Sequence, residues 1–400
     1  MTAYLDHAAT SPLVAEAKEA MGPWLGARFG NPSGSHSVAR AARKAIDEAR
    51  DTVAECLGVP PGAVVFTGGG TESDNLAVLG RARATPGPLV VSAIEHHAVL
   101  HAALAAERLM GAPVRTVGCG DDGVVDLRAL CSALDDGVSL VSVQLVNSEV
   151  GTLQPMAEIA RIVRRRAPRA VLHTDAVQAA PWYDVAQLAA GADLVSVSAH
   201  KFGGPQGVGA LAFRRPVELE PVLYGGPQER ELRAGTHNVA GIVGMAAALE
   251  VTSRRRDAAS RQVRGLRDNL LAGLLARVSS TYETAPGRDK APGHCHVLID
   301  GVESEALLVL LDSQGVCASA GSACASGAME PSHVLTAMGY SAQQALGALR
   351  LTLGHGSTDA DIELALRAIP AAVAQLRGFP AQPAGAPAQT VPAQIAGAWA

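Results

Sequence analysis

Asp193-Leu194-Val195-Ser196-Val197-Ser198-Ala199-His200-Lys201-Phe202-Gly203-Gly204-Pro205 runs from an apolar stretch into a lysine and then a glycine-rich turn. Its first part reads as a strand buried inside a sheet. The chain has only four lysines, and Lys18, Lys44 and Lys290 sit among polar neighbours and read as surface charges. Lys201 instead ends a buried strand, where a charge is costly. Burial lowers an amine's pKa and makes it nucleophilic, as a Schiff-base lysine requires. A lysine snorkelling out of a strand end is the alternative.

Outward from this stretch, strand and helix alternate from about residue 38 to 255. Val38, Ala42, Ile46, Ala49, Val53 and Leu57 recur at helical spacing, and Gly58 with Pro60-Pro61 stops the helix. Strand-like runs follow at Val64-Phe66, Leu89-Ser92, Leu140-Val146, Val171-Thr174, Leu194-Ser198 and Gly209-Phe213. This rhythm predicts βαβ units and a mostly parallel, buried sheet. A polar, arginine-rich helix is expected from about Val251 to Arg277. Beyond it, His296-Ile299 and Leu349-Leu353 read as strands, and Ser304-Leu311 and Thr358-Arg377 as helices, which makes a smaller α+β unit. The Pro/Ala-rich tail, 379–400, is expected to be disordered.

Composition narrows the function classes. The chain has 400 residues, an apolar fraction of 48%, a charged fraction of 18% and a net charge of −5, which fits a soluble two-domain protein and disfavours a nucleic-acid scaffold. No apolar run reaches the roughly 18 residues of a membrane span, and no signal peptide is visible. The cysteines at 56, 119, 131, 295, 317 and 324 contain no Cys-x-x-Cys pair, so neither a disulfide framework nor a metal site is expected. A cytoplasmic protein with reduced thiols is the expectation.

Several segments could carry chemistry. Gly68-Gly69-Gly70-Thr71-Glu72-Ser73 follows a strand and opens a helix, where backbone N–H groups can cradle a phosphate; a plain tight turn is the other reading. Asp175 ends the strand before Ala176-Val177-Gln178, at the sheet edge where ligands bind. It could keep a pyridinium protonated, or simply cap a helix. In Glu95-His96-His97, one ring could stack on a planar cofactor, and strand alternation points the two histidines apart. Cys324 lies among small residues, 319–327, on a loop too poor in bulk to pack a core; it is a nucleophile or an ordinary loop cysteine. Cys317 reads as a strand-edge core residue. His294-Cys295-His296 imitates a metal triplet, but alternation turns Cys295 away from its neighbours. Arg350 is a charge inside an apolar strand, suited to bidentate capture of a carboxylate or to a structural ion pair. A cradle, a strand-end acid, a stacking histidine and a strand-end lysine, in that order, are the parts a pyridoxal phosphate site needs.

These segments resemble the cysteine desulfurases of the NifS/IscS type, among the fold-type I PLP enzymes (class V aminotransferase family). The resemblance spans Tyr4-Leu5-Asp6-His7-Ala8-Ala9-Thr10 to about Arg377. It includes Phe29-Gly30-Asn31-Pro32-Ser33, Gly70-Thr71-Glu72-Ser73-Asp74-Asn75, Ser198-Ala199-His200-Lys201, Arg233-Ala234-Gly235-Thr236, Gly321-Ser322-Ala323-Cys324 and Glu330-Pro331-Ser332-His333-Val334-Leu335. It implies a large α/β domain over 12–253 with a mostly parallel seven-stranded sheet. A small α+β domain, 1–11 with 254–378, would carry the cysteine loop. The reaction implied is removal of sulfur from L-cysteine, giving L-alanine and a persulfide on Cys324 for an acceptor protein.

The resemblance also implies roles. Lys201 forms the Schiff base with pyridoxal 5'-phosphate and moves the Cα proton. Asp175 pairs with the pyridine nitrogen, Gln178 contacts the phenolic oxygen, and His96 stacks on the ring. Gly70, Thr71, Ser198 and His200 hold the phosphate, with Thr236 reaching over from the other subunit of a homodimer. Arg350 and Asn31 grip the substrate carboxylate, and Cys324 attacks the substrate sulfur. The family usually has Asn-Asn-Glu where this chain has Asn147-Ser148-Glu149, which implies a tuned cofactor contact or a bridging water. Other PLP reactions of this fold, such as selenocysteine lyase or transaminase chemistry, are the competing readings, together with a silent interaction protein. Iron–sulfur cluster assembly, tRNA thiolation and a dedicated biosynthetic pathway are all open as the destination of the sulfur.

Overall fold

Twelve short strands sort into three sheets in the computed structural model, which describes residues 2–321 and 331–378. In chain order they are β1 (Ala3–Tyr4), β2 (Val64–Thr67), β3 (Leu89–Ser92), β4 (Val114–Val117), β5 (Leu140–Ser142), β6 (Val171–Asp175), β7 (Leu194–Ser198), β8 (Gly209–Phe213), β9 (Thr281–Glu283), β10 (His294–Ile299), β11 (Val316–Cys317) and β12 (Ala348–Thr352). The main sheet has seven strands in the order β2-β8-β7-β6-β5-β3-β4. Only β8 runs against its neighbours. Every residue of β7 is buried, as the apolar run predicts.

Alternate residues feed two cores. Val64, Phe66, Val195 and Val197 pack on one face of the sheet with the helices Ser37–Leu57, Met156–Arg166 and Val239–Arg277. Val65, Leu89, Val91 and Leu194 pack on the other with Gly70–Ala84 and His97–Met110. Helices on both sides explain why the strands read as continuous apolar runs. Asp193, at the head of β7, is buried. Its carboxylate accepts the Leu172 N–H at 2.7 Å, Arg164 Nη2 at 2.5 Å and Arg215 Nη2 at 2.9 Å. This satisfies a buried charge and ties β6 to β7.

The helix expected from Val251 begins earlier, at Val239. Its first eleven residues are apolar nearly all round, because they pack against the helices Ala15–Met21 and Ser37–Leu57. Without a polar face they carry no helical period. β4 was not expected either; it is an edge strand whose Thr116 is exposed, so its pattern is weak. Lys290 is not a surface charge. It is 2% exposed, with Nζ 2.6 Å from Glu283 Oε1 and donating to the Thr284 carbonyl. Local sequence polarity missed it because its acidic partner lies seven residues upstream.

β12, β10 and β9 form a three-stranded antiparallel sheet that sets His296 opposite Arg350. The N-terminal β1 pairs in parallel with β11. From there the chain crosses to the main sheet, where Ser11 N–H meets the His200 carbonyl at 2.8 Å.

The strands β2, β6 and β7 end at one edge of the main sheet. There Gly209 lets β8 run against the glycine turn: a Cβ on it would lie 2.6 Å from the Val197 carbonyl oxygen and 2.7 Å from the Gly69 carbonyl carbon. Gly209→Ala is expected to lose about 1–3 kcal/mol by overpacking. Gly265→Ala, on an open helix face with nothing within 4 Å, is expected to gain about 0.5–1 kcal/mol. Urea unfolding midpoints of the two variants check the contrast.

Candidate active site

Beyond the strand ends lies a cavity of about 320 Å³, lined by both the main sheet's loops and the smaller sheet's Arg350. This is the position at which open α/β sheets bind ligands. Of the residues expected here, Gly70, Thr71, His96, Asp175, Gln178, Ser198, His200, Lys201 and Arg350 all line it. Asn31 and Thr236 do not; both are exposed elsewhere on the surface. Cys324 lies outside the described residues.

One end is built for an anion. The helix Gly70–Ala84 starts without a side-chain cap, so its first N–H groups face the cavity's Gly70-Thr71 end with their helix dipole. Ser198 and His200, from the end of β7, stand beside it. His200 Nδ1 lies 3.1 Å from Thr10 Oγ1, and burial followed by the nearby Lys201 holds its imidazole down to about 4.

Two carboxyls that line the cavity, Asp175 and Asp74, interact with a third, Glu95, buried behind the lining. Asp175 Oδ1 accepts the Val177 N–H at 2.8 Å. Burial raises Asp175 to about 6, against the pull of that bond and of Lys201. Asp74, wholly buried, is pushed well above the ordinary range by desolvation and then by Asp175, and its Oδ1 has no hydrogen-bond partner among the described residues. Glu95 is pushed up to about 8, chiefly by burial, while its Oε1 accepts the Gln144 N–H at 2.7 Å. Burial favours the protonated form of all three, and of the three only Asp175 is drawn towards ionisation by Lys201. Neither Asp74 nor Glu95 was expected from the sequence. Asp74 was legible only as the residue one helical turn beyond Gly70 and Thr71, on the same face.

Lys201 enters on the 3-10 turn Ala199–Lys201 that directly follows β7. Its Nζ donates to the carbonyls of Ala8 at 2.5 Å and Ala9 at 2.9 Å. Gln178 Nε2 donates to the same Ala8 carbonyl at 2.8 Å. His96 caps the helix His97–Met110: its Nδ1 accepts the Ala98 N–H at 3.1 Å, which leaves Nε2 to carry the ring proton. The ring lines the cavity, and desolvation by the surrounding protein, followed by Lys201, lowers it to about 4. The two histidines do not point apart as a strand would require. They start a helix, and His97 lines the cavity too, with its ring 4.6 Å from His333.

Arg350 is 4% exposed. Nη1 donates to the carbonyls of Ser148 and Gly321, each at 3.0 Å, and Nη2 to Asp6 Oδ1 at 3.0 Å. Nε has no partner among the described residues. A guanidinium has five N–H donors, so two remain, on Nε and Nη2, enough for a two-pronged bond to a carboxylate.

The donor set fits pyridoxal phosphate: an uncapped helix N-terminus and hydroxyls for a phosphate, an ionisable buried acid for a pyridine nitrogen, a neutral ring for stacking and an amine for an aldehyde. The comparisons agree in class. Residues 3–365 match the aminotransferase class-V family, and the chain belongs to it. It is 44% identical over 393 residues to an IscS-like cysteine desulfurase of Mycobacterium tuberculosis, covering 96% of this chain and 99% of the relative. A solved NifS-like protein superposes with a TM-score of 0.87 at 32% identity, covering 94% of this chain and all of that one. A structure titled "SspA in complex with cysteine" gives 0.77 at 30% identity, over 89% of this chain and all of that one. The fold is that of the NifS-like, fold-type I PLP enzymes.

Asp175 gives a pH signature in cofactor-free protein. The folded state holds a proton there up to about pH 6, which the unfolded chain releases near 3.8. Stability contributed at this site therefore falls as pH rises between about 4 and 6. Asp175→Asn is expected to raise the thermal midpoint above the wild type's at pH 7 and to lose that advantage below about pH 4. A gap that does not change with pH contradicts the assignment.

Proposed function

We propose that this protein is a pyridoxal 5'-phosphate-dependent cysteine desulfurase that converts L-cysteine to L-alanine and leaves a persulfide on Cys324 for a sulfur-acceptor protein. The observation that carries the reading is that Lys201, Asp175, His96 and Arg350 share one cavity whose rim includes Gly321, three residues before Cys324. The names of the relatives support it.

Lys201 would hold the aldehyde carbon, Asp175 the pyridine nitrogen, Gln178 the phenolic oxygen and His96 a ring face. Gly70, Thr71, Ser198 and His200 would hold the phosphate. Bound there, the cofactor supplies an electron sink for the charge left when a Cα proton departs. Arg350 Nε and Nη2 orient the substrate carboxylate. Lys201 Nζ would take the Cα proton and return one later. The Cys324 thiolate attacks the substrate sulfur: an S–S bond forms, the substrate's C–S bond breaks, and its electron pair ends on Cβ, which takes up a proton. Cysteine and one enzyme thiol thus yield alanine and one enzyme persulfide, with no outside oxidant. Ser148, shorter than the family's usual asparagine, lines the same cavity. A bridging water beside it would preserve the asparagine's contact with the phenolic oxygen.

The quaternary reading is a homodimer. An open groove adjoins the phosphate end, lined by Gly68, Glu72, Gln206 and Gly207, and Thr236 of a second copy would reach into it. Asn31 would complete the carboxylate grip in the closed, loaded enzyme. The division into 12–253 and 1–11 with 254–378 follows the separate sheets. A reducing cytoplasmic setting is part of the proposal; among the described residues Cys56, Cys119, Cys131, Cys295 and Cys317 form no disulfide. Among the described residues no helix is long and apolar enough to cross a membrane.

Incubation with L-cysteine is expected to give alanine and one added sulfur on the Cys324 peptide, and Cys324→Ala is expected to abolish both. Sulfide release at full rate by that variant contradicts the desulfurase reading. Arg350→Ala, losing a charged pair, is expected to raise KM for cysteine by roughly 10- to 100-fold. Steady-state kinetics at saturating cofactor measure it.

A further inference from the structure

Glu72 is the third residue of the helix Gly70–Ala84, the position from which an acid commonly turns back onto the helix's own unpaired N–H groups. Here it reaches past the N-cap, Gly69, instead. Its Oε2 accepts the Gly68 N–H at 2.7 Å, and its Oε1 accepts Arg233 Nε at 2.9 Å. Arg233 comes from 161 positions further along the chain. The segment that delivers it is fastened to β2, the strand that leads into this turn. Glu229 is buried, and its carboxylate accepts the Phe66 N–H at 2.8 Å, Arg50 Nη1 at 2.8 Å and Nη2 at 2.6 Å, and His237 Nε2 at 2.8 Å. Burial pushes that carboxyl up, but the bonds from His237 and Arg50 outweigh it and hold it at about 2. These bonds fix a stretch in which Glu229, Arg230 and Glu231 all have left-handed backbone, with φ of 45, 58 and 65, a conformation that residues other than glycine rarely adopt.

The helix's first N–H groups and its dipole attract any nearby anion, and a carboxylate in the helix's own first turn is the nearest one. A Glu72 free to swing would compete with a bound phosphate for those groups and repel it. Arg233 holds the carboxylate on the Gly68 N–H and offsets its charge, which leaves the N-terminus open. Glu72 lines the groove beside the phosphate end and not the reaction cavity. Its side chain is 25% exposed and that of Arg233 is 22% exposed, so the pair is partly shielded from solvent. The turn also has bonds that do not use the pair. The Gly69 carbonyl accepts the Ser73 N–H at 3.1 Å and Thr67 Oγ1 at 3.0 Å, which hold the turn's shape when the pair is altered.

We propose that Arg233 is a positioning residue for the cofactor's phosphate, holding the Glu72 carboxylate against the Gly68 N–H and off the helix N-terminus so that the phosphate meets open N–H groups. The inference rests on reading the Gly68-Gly69-Gly70-Thr71 turn as the phosphate cradle. Arg233 acts through Glu72. Its loss is therefore harmful only while Glu72 keeps its charge, and neutralising Glu72 undoes it.

The test titrates the full-length protein, stripped of cofactor, with pyridoxal 5'-phosphate and separately with pyridoxal, which lacks the phosphate. The visible absorbance of the bound aldehyde reads both. Arg233→Ala is expected to weaken pyridoxal 5'-phosphate binding about 10-fold or more and to leave pyridoxal binding within about 3-fold of wild type. Arg233→Ala combined with Glu72→Gln, whose neutral amide can still accept the Gly68 N–H, is expected to return pyridoxal 5'-phosphate to within about 3-fold of wild type. Arg233→Met keeps the apolar stem and gives the same reading, alone and with Glu72→Gln, where Arg233→Ala fails to fold. Wild-type affinity in the single arginine variants overturns the inference. So does a double variant no tighter than the single one, or a loss of equal size with pyridoxal. A wild type that holds pyridoxal as tightly as pyridoxal 5'-phosphate overturns the phosphate reading of the turn itself, and this inference with it.

Discussion

The cavity exists because one short segment, 5–11, holds two distant parts of the chain together. The Leu5 carbonyl accepts the Thr352 N–H at 2.7 Å and the Ala8 N–H donates to Thr352 Oγ1 at 2.9 Å, which fixes this strap to β12. Asp6 reaches Arg350 on the same strand. A few residues on, the carbonyls of Ala8 and Ala9 receive Lys201, and Ser11 Oγ donates to the Lys201 carbonyl at 3.0 Å. Lysine and arginine are 149 positions apart in the chain, yet each is oriented by the same short segment. Most of these bonds are to backbone, so side-chain changes in the strap leave the geometry standing.

The electrostatic design follows from that enclosure. Burial drives carboxyls and imidazoles alike towards neutrality, and Asp74, Glu95, His96 and His200 all shift in the neutral direction. Of Asp74, Glu95 and Asp175, Asp175 is the carboxyl that Lys201 draws towards ionisation. A cationic ring nitrogen placed against it would complete the ionisation and offset the burial cost, so the cavity is organised for one charged partner at one place. Arg350 is treated differently. Its guanidinium is satisfied by two carbonyls and Asp6, which keeps it fixed while part of its donor edge stays available.

Much of this was legible in the sequence because the chemistry sits at strand ends. The apolar runs before Gly68, Asp175 and Lys201 announce buried strands, and a parallel sheet brings their ends to one edge. The family resemblance then assigned the roles. What was not legible came from long-range packing. Lys290 reads as solvent-exposed until β9 supplies its partner. The first turns of the helix Val239–Arg277 have no polar face, because other helices cover them. Glu72 and Asp74 lie in quoted motifs but carry no local signal, since their meaning lies in which segments fold against them. His97 was misdirected by strand alternation in a stretch that has already become helix.

The proposed reaction depends on Lys201 being the single amine that carries the cofactor. Borohydride reduction of the holoenzyme, followed by digestion and peptide mass analysis, tests it most directly. A pyridoxyl group on the peptide containing Lys201, and on no other, is the predicted result. An adduct on Lys18, Lys44 or Lys290, or none, would contradict it.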